Sequence, residues 1–153
     1  MNDKEKQVVA RNRRAFRNYQ IDEKFEAGIS LLGPEVKSLR EGKASIAEAY
    51  AVFKGRELYL VEMHVPEYSH KGYAEHEPLR PRKLLMHRRE LDKLEAKLAR
   101  KGLTLVPIQV YFSKGRAKVE LGIGKGRRLH DKRDKAKKDE AMREARRAEG
   151  KRR

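Results

Sequence analysis

Three clusters of side chains in this sequence have the types and spacing to bind phosphate and stack on bases. Arg11, Arg13 and Arg14 surround Asn12 near the start. Arg80, Arg82 and Lys83 flank Pro81 in the middle. Arg127, Arg128, Lys132 and Arg133 surround His130 and Asp131 near the end, just after Gly126. Arginine and lysine neutralise phosphate oxygens, asparagine adds neutral hydrogen bonds, and an imidazole ring stacks on an unpaired base. The prolyl ring stiffens the second cluster and keeps its charges forward. Glu26 is the odd group in these basic surroundings. A carboxylate there is an ion-pair partner, an acceptor for base N–H edges, or a support that orients a neighbouring arginine.

Other chemistries find little support. His64, His70 and His76 recur every six residues, a spacing that matches neither one helix face nor the usual short metal-ligand pairs. The segment 122–126 (GIGKG) follows a strand pattern but lacks the Gly-Lys-Ser/Thr ending and the dinucleotide glycine spacing. It reads as a flexible exit from the folded body. No serine or threonine sits in a nucleophile elbow, and no carboxylate pair lies in apolar surroundings. The chain has no cysteine, which excludes disulfides and cysteine-ligated metals and fits a reducing cytosol. The expectation is a protein that is not an enzyme and holds no metal and no cofactor.

Charge is distributed over the whole chain. Residues 125–153 carry 14 Lys/Arg against 6 Asp/Glu, so half of the net +16 lies in the last segment. The remainder is still basic, with 25 Lys/Arg against 17 Asp/Glu. Such a balance points to nucleic acid or an anionic membrane surface. The membrane option has no anchor, because no apolar run approaches ~18 residues. The start lacks the apolar segment of a signal peptide.

The elements that must position these groups are short strands. Phe25, Ala27, Ile29 and Leu31 alternate with polar residues, which predicts a strand. Pro34 and Glu35 open a two-turn helix that Gly42 closes. Residues 50–53 and 58–63 flank Lys54, Gly55 and Arg56 as a hairpin. The connection 64–83 holds three prolines and is either functional or hides a short strand. Leu91, Leu94 and Leu98 predict an amphipathic helix over 87–100, stopped at Gly102. Val106, Ile108, Val110 and Phe112 form one apolar face of a strand, with Pro107 marking an edge or bulge. Ala117, Val119, Leu121 and Ile123 complete a second hairpin. Five or six short strands suit a small closed antiparallel barrel, mainly β, with two or three helices packed on it. The organisation expected is a mobile basic arm over 1–14, a barrel over 15–124 and a basic tail over 125–153.

That tail cannot fold alone. Ordering it costs roughly 1–2 kcal/mol per residue. Its two large apolar side chains, Leu129 and Met142, return only ~1.5–3 kcal/mol each. Yet 131–149 is rich in Ala, Lys, Arg and Glu, with opposite charges at i, i+4. It is expected to be coil when free and helical on a polyanion.

Four segments resemble, in order, the small protein B family, the SsrA (transfer-messenger RNA)-binding proteins of bacteria. They are 25–29 (FEAGI), 33–46 (GPEVKSLREGKASI), 77–91 (EPLRPRKLLMHRREL) and 119–133 (VELGIGKGRRLHDKR). The resemblance implies an oligonucleotide-binding (OB)-like barrel that binds the transfer-RNA-like domain of transfer-messenger RNA in place of the missing anticodon arm. It implies entry, with elongation factor Tu on the charged RNA, into stalled ribosomes, where the tail runs as a helix along the empty messenger channel. Carried over by position, Asn12, Arg13, Glu26 and Leu85, with Lys83 beside it, correspond to the RNA-contacting face; Arg14 and Arg82 join the RNA-binding candidates from their basic clusters. Gly126, His130, Asp131, Lys132 and Arg133 correspond to the motif at the decoding centre, where His130 stacks on a small-subunit ribosomal RNA base, and Arg127 and Arg128 keep the charge. A cytoplasmic monomer is expected. The competing reading is a structural ribosomal protein with a similar barrel and basic extension.

Overall fold

Alternating apolar residues in the second half of the chain build its longest hairpin, and the other strands are arranged around it. The structure, a computed structural model, describes residues 6–67, 77–100, 102–127 and 140–143. In chain order the elements are β1 (Lys6–Arg11), α1 (Ala15–Asn18), β2 (Tyr19–Ile29), α2 (Gly33–Arg40), β3 (Tyr50–Lys54), β4 (Glu57–Val61), β5 (Arg82–Leu85), α3 (Arg88–Leu98), β6 (Leu103–Ser113) and β7 (Arg116–Gly126). The β6–β7 turn places Lys114 at φ 53° and Gly115 at φ 75°. Two consecutive positive φ values match the right-handed twist of a two-residue hairpin, and glycine adopts one without strain.

Every strand pairing is antiparallel, and the pairings return on themselves in the circuit β6–β3–β4–β5–β2–β7–β6. Six strands thus form a closed ring, which leaves few edges exposed. The joints are uneven. β6 and β7 pair from Leu103↔Lys125 to Ser113↔Arg116, whereas β3 meets β6 only at Ala51↔Leu105. β5 bridges β4 and β2 through Tyr59↔Lys83, Leu60↔Arg82, Gly28↔Leu85 and Ile29↔Leu84. Leu58, Leu60, Leu84, Leu105, Val119 and Leu121 fill the interior together with Leu39 of α2 and Leu94 of α3. Among the described residues no helix is long and apolar enough to cross a membrane.

Three expectations need correction. The charge of residues 1–14 suggests a mobile arm, but Lys6–Arg11 forms β1, paired with β6 from Lys6↔Ser113 to Arg11↔Gln109. Because β3 occupies only one position on that edge of β6, the edge beyond it has free backbone groups, and β1 satisfies them. The segment 122–126 is strand rather than a flexible exit. Two of its glycines are there for space. A Cβ on Gly124 would lie 2.1 Å from the carbonyl oxygen of Gln20, and one on Gly122 would lie 2.8 Å from the Ile21 side chain. The chain therefore folds beyond both ends of the expected 15–124 body. Finally, Val106, Ile108, Val110 and Phe112 do not share one face. A register shift between Pro107 and Gln109 keeps Val110 and Phe112 in the core beside Leu105. It turns Ile108 outward, where it meets the Ile21 side chain above Gly122. A proline without an N–H belongs at such a bulge.

One buried ion pair holds the short strand β5 in place. Glu35 and Arg82 are both fully buried. Arg82 Nε donates to Glu35 Oε2 at 2.6 Å. Its other nitrogens donate to the carbonyls of Met63 (2.8 Å), Arg80 (3.0 Å) and Pro78 (3.2 Å). Arg80 Nε reaches Glu35 Oε2 at 3.1 Å, and the Leu32 N–H donates to Oε1 at 2.8 Å. Burial pushes the Glu35 carboxyl up, but the Arg80 hydrogen bond, the Leu32 amide and the Arg82 charge outweigh it and hold it below the usual carboxylate range.

A carboxyl depressed in the folded state stabilises above its unfolded pKa, and that stability is lost as pH falls through the folded value. Unfolding free energy should therefore drop below about pH 4, with a shallower slope in Glu35→Gln. Arg82→Met leaves Glu35 buried without its fully buried partner and should cost about 3–5 kcal/mol in urea unfolding; a loss under about 1 kcal/mol would contradict the role assigned to the pair. Gly124→Ala should cost about 1–3 kcal/mol through forced separation of β2 and β7, read as a lower denaturant midpoint at unchanged m-value.

Candidate nucleic-acid interface

The period-two alternation of β5 decides which of its charged residues reach solvent. Arg82 and Leu84 point inward and are buried, while Lys83 and Leu85 point outward and are exposed. Arg82 is a corrected expectation. Its guanidinium is spent on Glu35 and three carbonyls inside the protein, so it has no surface to offer a phosphate. Lys83 stays at the surface, 3.6 Å from Glu57, a pairing weak enough to be exchanged. Leu85 is 52% exposed, a large apolar side chain held in water by its strand position.

Leu85 sits at the wall of an open groove of about 770 Å³. Residues 26–29 of β2, which runs between β5 and β7, line it together with residues 116–118 of β7, and the start of α3 adds His87 and Glu90. Gly28 lets the walls come close, because a Cβ there would lie 3.4 Å from that of Leu85. Glu26 lines the groove and accepts hydrogen bonds from the Tyr111 hydroxyl and from Lys118 Nζ at 3.2 Å. The Tyr111 hydroxyl, then Lys118, holds the Glu26 carboxyl below its ordinary range. Tyr111 moves the opposite way. Burial first, then the Glu26 carboxylate, pushes its hydroxyl above the usual tyrosine range, so it remains a protonated donor. The groove thus combines a fixed anion, an exposed leucine and a cationic rim of Arg116 and Lys118. It can accept hydrogen bonds from a ligand, pack against a ring, and attract phosphate at its edge.

A second corner lies where α1 meets the end of β7. Tyr19 pairs with Gly126, the Arg127 N–H donates to the Asn18 carbonyl at 2.8 Å, and Arg127 Nε reaches the Phe16 carbonyl at 3.4 Å. Arg13, Arg14 and Arg17 are exposed on this corner. Lys24 lies 5.4 Å from the centroid of the Phe16 ring, and that ring is itself 43% exposed. Asn12 is the second correction. It is buried, its side-chain amide donates to the Pro107 carbonyl at 3.2 Å, and its side-chain oxygen accepts the Arg14 N–H at 3.3 Å. It ties the chain to the β6 bulge and so presents Arg13 and Arg14, with its own polar atoms turned inward.

The predicted residues therefore separate into three places. Glu26 and Leu85 line the groove, with Lys83 one residue away. Arg13, Arg14, Gly126 and Arg127 stand at the α1 corner. Arg82 and Asn12 are internal. Arg128, His130, Asp131, Lys132 and Arg133 lie outside the described residues, as does most of the expected tail. Tyr111, Lys118, Arg116 and Phe16 were missed in the sequence. Alternation around Val119 would have turned Arg116 and Lys118 outward, but nothing local says that they face Glu26. No cluster able to hold a metal ion occurs among the described residues, and His64 there belongs to a bridge with Ser45.

Residues 9–151 match the SmpB protein family. The chain is similar to the SsrA-binding protein of Rhizorhabdus wittichii, 54% identical over 143 residues that cover 93% of this chain and 89% of that protein. It is 50% identical over 147 residues to the SsrA-binding protein of Mycobacterium leprae, covering 96% and 92%. For that of Salinispora arenicola the identity is 51% over 150 residues, covering 98% and 94%. A solved structure described as "tmRNA-SmpB: a journey to the center of the bacterial ribosome" contains a chain with 46% identity and a TM-score of 0.67. That likeness spans 81% of this chain and 91% of the other.

The split between internal and surface residues is measurable. Asn12→Ala removes the buried hydrogen bond to the Pro107 carbonyl and should cost about 1–3 kcal/mol of folding stability. Arg13→Ala should stay within about 0.5 kcal/mol of the parent. Equal stability of the two variants in chemical denaturation would remove the internal role of Asn12.

Proposed function

The chain belongs to the SmpB family, and from that membership we propose that it is an RNA-binding adaptor in ribosome rescue. It binds the transfer-RNA-like domain of transfer-messenger RNA and brings it to ribosomes stalled on broken messages. It performs no covalent chemistry. Its partners are that RNA, the small-subunit ribosomal RNA and, through the charged RNA, elongation factor Tu. It works as a monomer in the cytoplasm.

The observation that carries this reading is the groove, on a chain whose relatives are SsrA-binding proteins. An immobilised carboxylate beside an exposed leucine and a cationic rim suits a folded RNA with splayed bases better than a uniform duplex. In this reading Glu26, Leu85 and Lys83 meet the transfer-RNA-like domain, with Arg13 and Arg14 supplying phosphate contacts. Gly126, Arg127, Arg128, His130, Asp131, Lys132 and Arg133 act at the decoding centre, and the rest of the tail enters the empty messenger channel. A division of labour follows from the energetics. The ring is ordered by its own core, whereas the tail has too little to bury and takes its order from ribosomal phosphates.

Deletion of residues 131–153 should change affinity for transfer-messenger RNA less than about threefold, under ~0.7 kcal/mol, while abolishing tagging on stalled ribosomes. Equal loss of both would refute the division. Arg13→Ala should weaken RNA binding and lower the salt slope by about 1.

A further inference from the structure

Tyr111 is an anomaly of the ring. It alternates with the core residues Val110 and Phe112, so it stands on the outer face of β6. Yet it is only 1% exposed. Its cover is polar. Lys6 of β1 lies over the ring, 4.7 Å from its centroid. Lys118 pairs with it across β7, and Glu26 of β2 accepts its hydroxyl hydrogen bond. Three other strands meet at this one side chain, two of them distant in sequence, and its hydroxyl donates to the carboxylate that lines the groove.

We propose that Tyr111 is a positioning residue that fixes the Glu26 carboxylate as an acceptor for the hydrogen-bond donors of bound RNA. This rests on the groove being the RNA site proposed above. The physical case is one of charge and geometry. A glutamate on a strand at the surface would sample several rotamers and pay that entropy on binding. The hydroxyl holds one carboxylate oxygen and Lys118 the other, which leaves each oxygen a further acceptor site. Because the tyrosine donor is neutral, it orients the carboxylate without cancelling its charge, as a second cation would. An ionised acceptor fixed in this way makes the stronger, charge-assisted kind of hydrogen bond to ligand N–H and O–H groups.

The charged groups around Glu26 set the direction of the pH effect. Lys118 on β7 and Lys6 on β1 favour the ionised form. Glu120 stands directly across on β7. His87, Glu90 and Arg116 line the same groove. Removing the hydroxyl takes away the largest influence that lowers the Glu26 pKa. Binding that needs the carboxylate should then fail at a higher pH.

The test is a double-mutant cycle in the full chain with transfer-messenger RNA, using Glu26→Ala, Tyr111→Phe and the pair. Tyr111→Phe keeps the ring and its packing. Expected is a loss of affinity of about tenfold for Tyr111→Phe, little further loss when it is added to Glu26→Ala, and an acid limb of binding displaced to higher pH. Losses that simply add, or an unmoved acid limb, would overturn the positioning role while leaving the groove as the binding site. Unchanged affinity in Glu26→Ala would overturn the groove itself, and this inference with it. A measurement on the unmutated chain stands apart from variant folding. The Glu26 carboxyl, followed by carbon-13 NMR, should titrate below free glutamate, and an ordinary titration would contradict the proposal.

Discussion

The pairing of Glu35 with Arg82 is the constraint on which the rest of the molecule depends. A buried carboxylate and a buried guanidinium are costly to take out of water, and they survive inside only when each is paired and fully hydrogen-bonded. Here the guanidinium satisfies Glu35 and three main-chain carbonyls at once. Those carbonyls, of Met63, Pro78 and Arg80, belong to the stretch between β4 and β5, whose described residues have no sheet pairing apart from the Ser45–His64 bridge. The ion pair thus does for that connection what a ladder does for a strand. It also holds β5, a four-residue strand, between β4 and β2, where it completes the ring. With Arg82 turned inward, the alternation of the strand leaves Lys83 and Leu85 no choice but the outer face. The groove wall is a consequence of a charge buried on the other side of the sheet.

The β6–β7 hairpin organises the opposite wall by a different device. A bulge at Pro107 exchanges the two faces of β6 half-way along its length. Before the bulge Leu105 faces the core, and after it Val110 and Phe112 do, which leaves Tyr111 outside. Bulges change which side a side chain is aimed at without ending the pairing. The glycines of β7 answer the same problem from the partner strand. Gly122 makes room for Ile21 and Ile108, and Gly124 lets the backbone of β2 approach where its register shifts between Ile21 and Glu23. Backbone irregularity, and not loop flexibility, accounts for the glycine-rich segment.

Much of the fold was legible in local pattern. Alternation located the strands at 25–29, 50–53, 58–61 and 116–123, and the leucine spacing with its glycine stop located α3. These signals work because a half-buried strand or helix imposes its own period on the chain. What escaped had no such period. β1 is buried in part by the spare edge of β6, α1 is a single turn, and β5 is too short to show a repeat. Within the site, Glu26 stood out as a carboxylate in basic surroundings and Leu85 came from resemblance to a family, whereas Lys118 and Tyr111 carry no local mark of their role.

By itself the sequence determined the class of the molecule: a small, mainly β body with a net positive charge, a last segment poor in large apolar side chains, and no cysteine to ligate a metal. Those conclusions follow from composition and short-range period, which are properties of the chain. Only the tertiary structure decided which charges are for the protein and which are for a ligand. Arg82 and Lys83 are adjacent and alike in sign, yet one is sealed against Glu35 and the other faces water. Asn12 and Arg13 divide in the same way. The physical reason is that a charge is neutralised by whatever lies within a few ångströms. In a closed ring of strands those neighbours come from residues tens of positions away, so no local window contains the information.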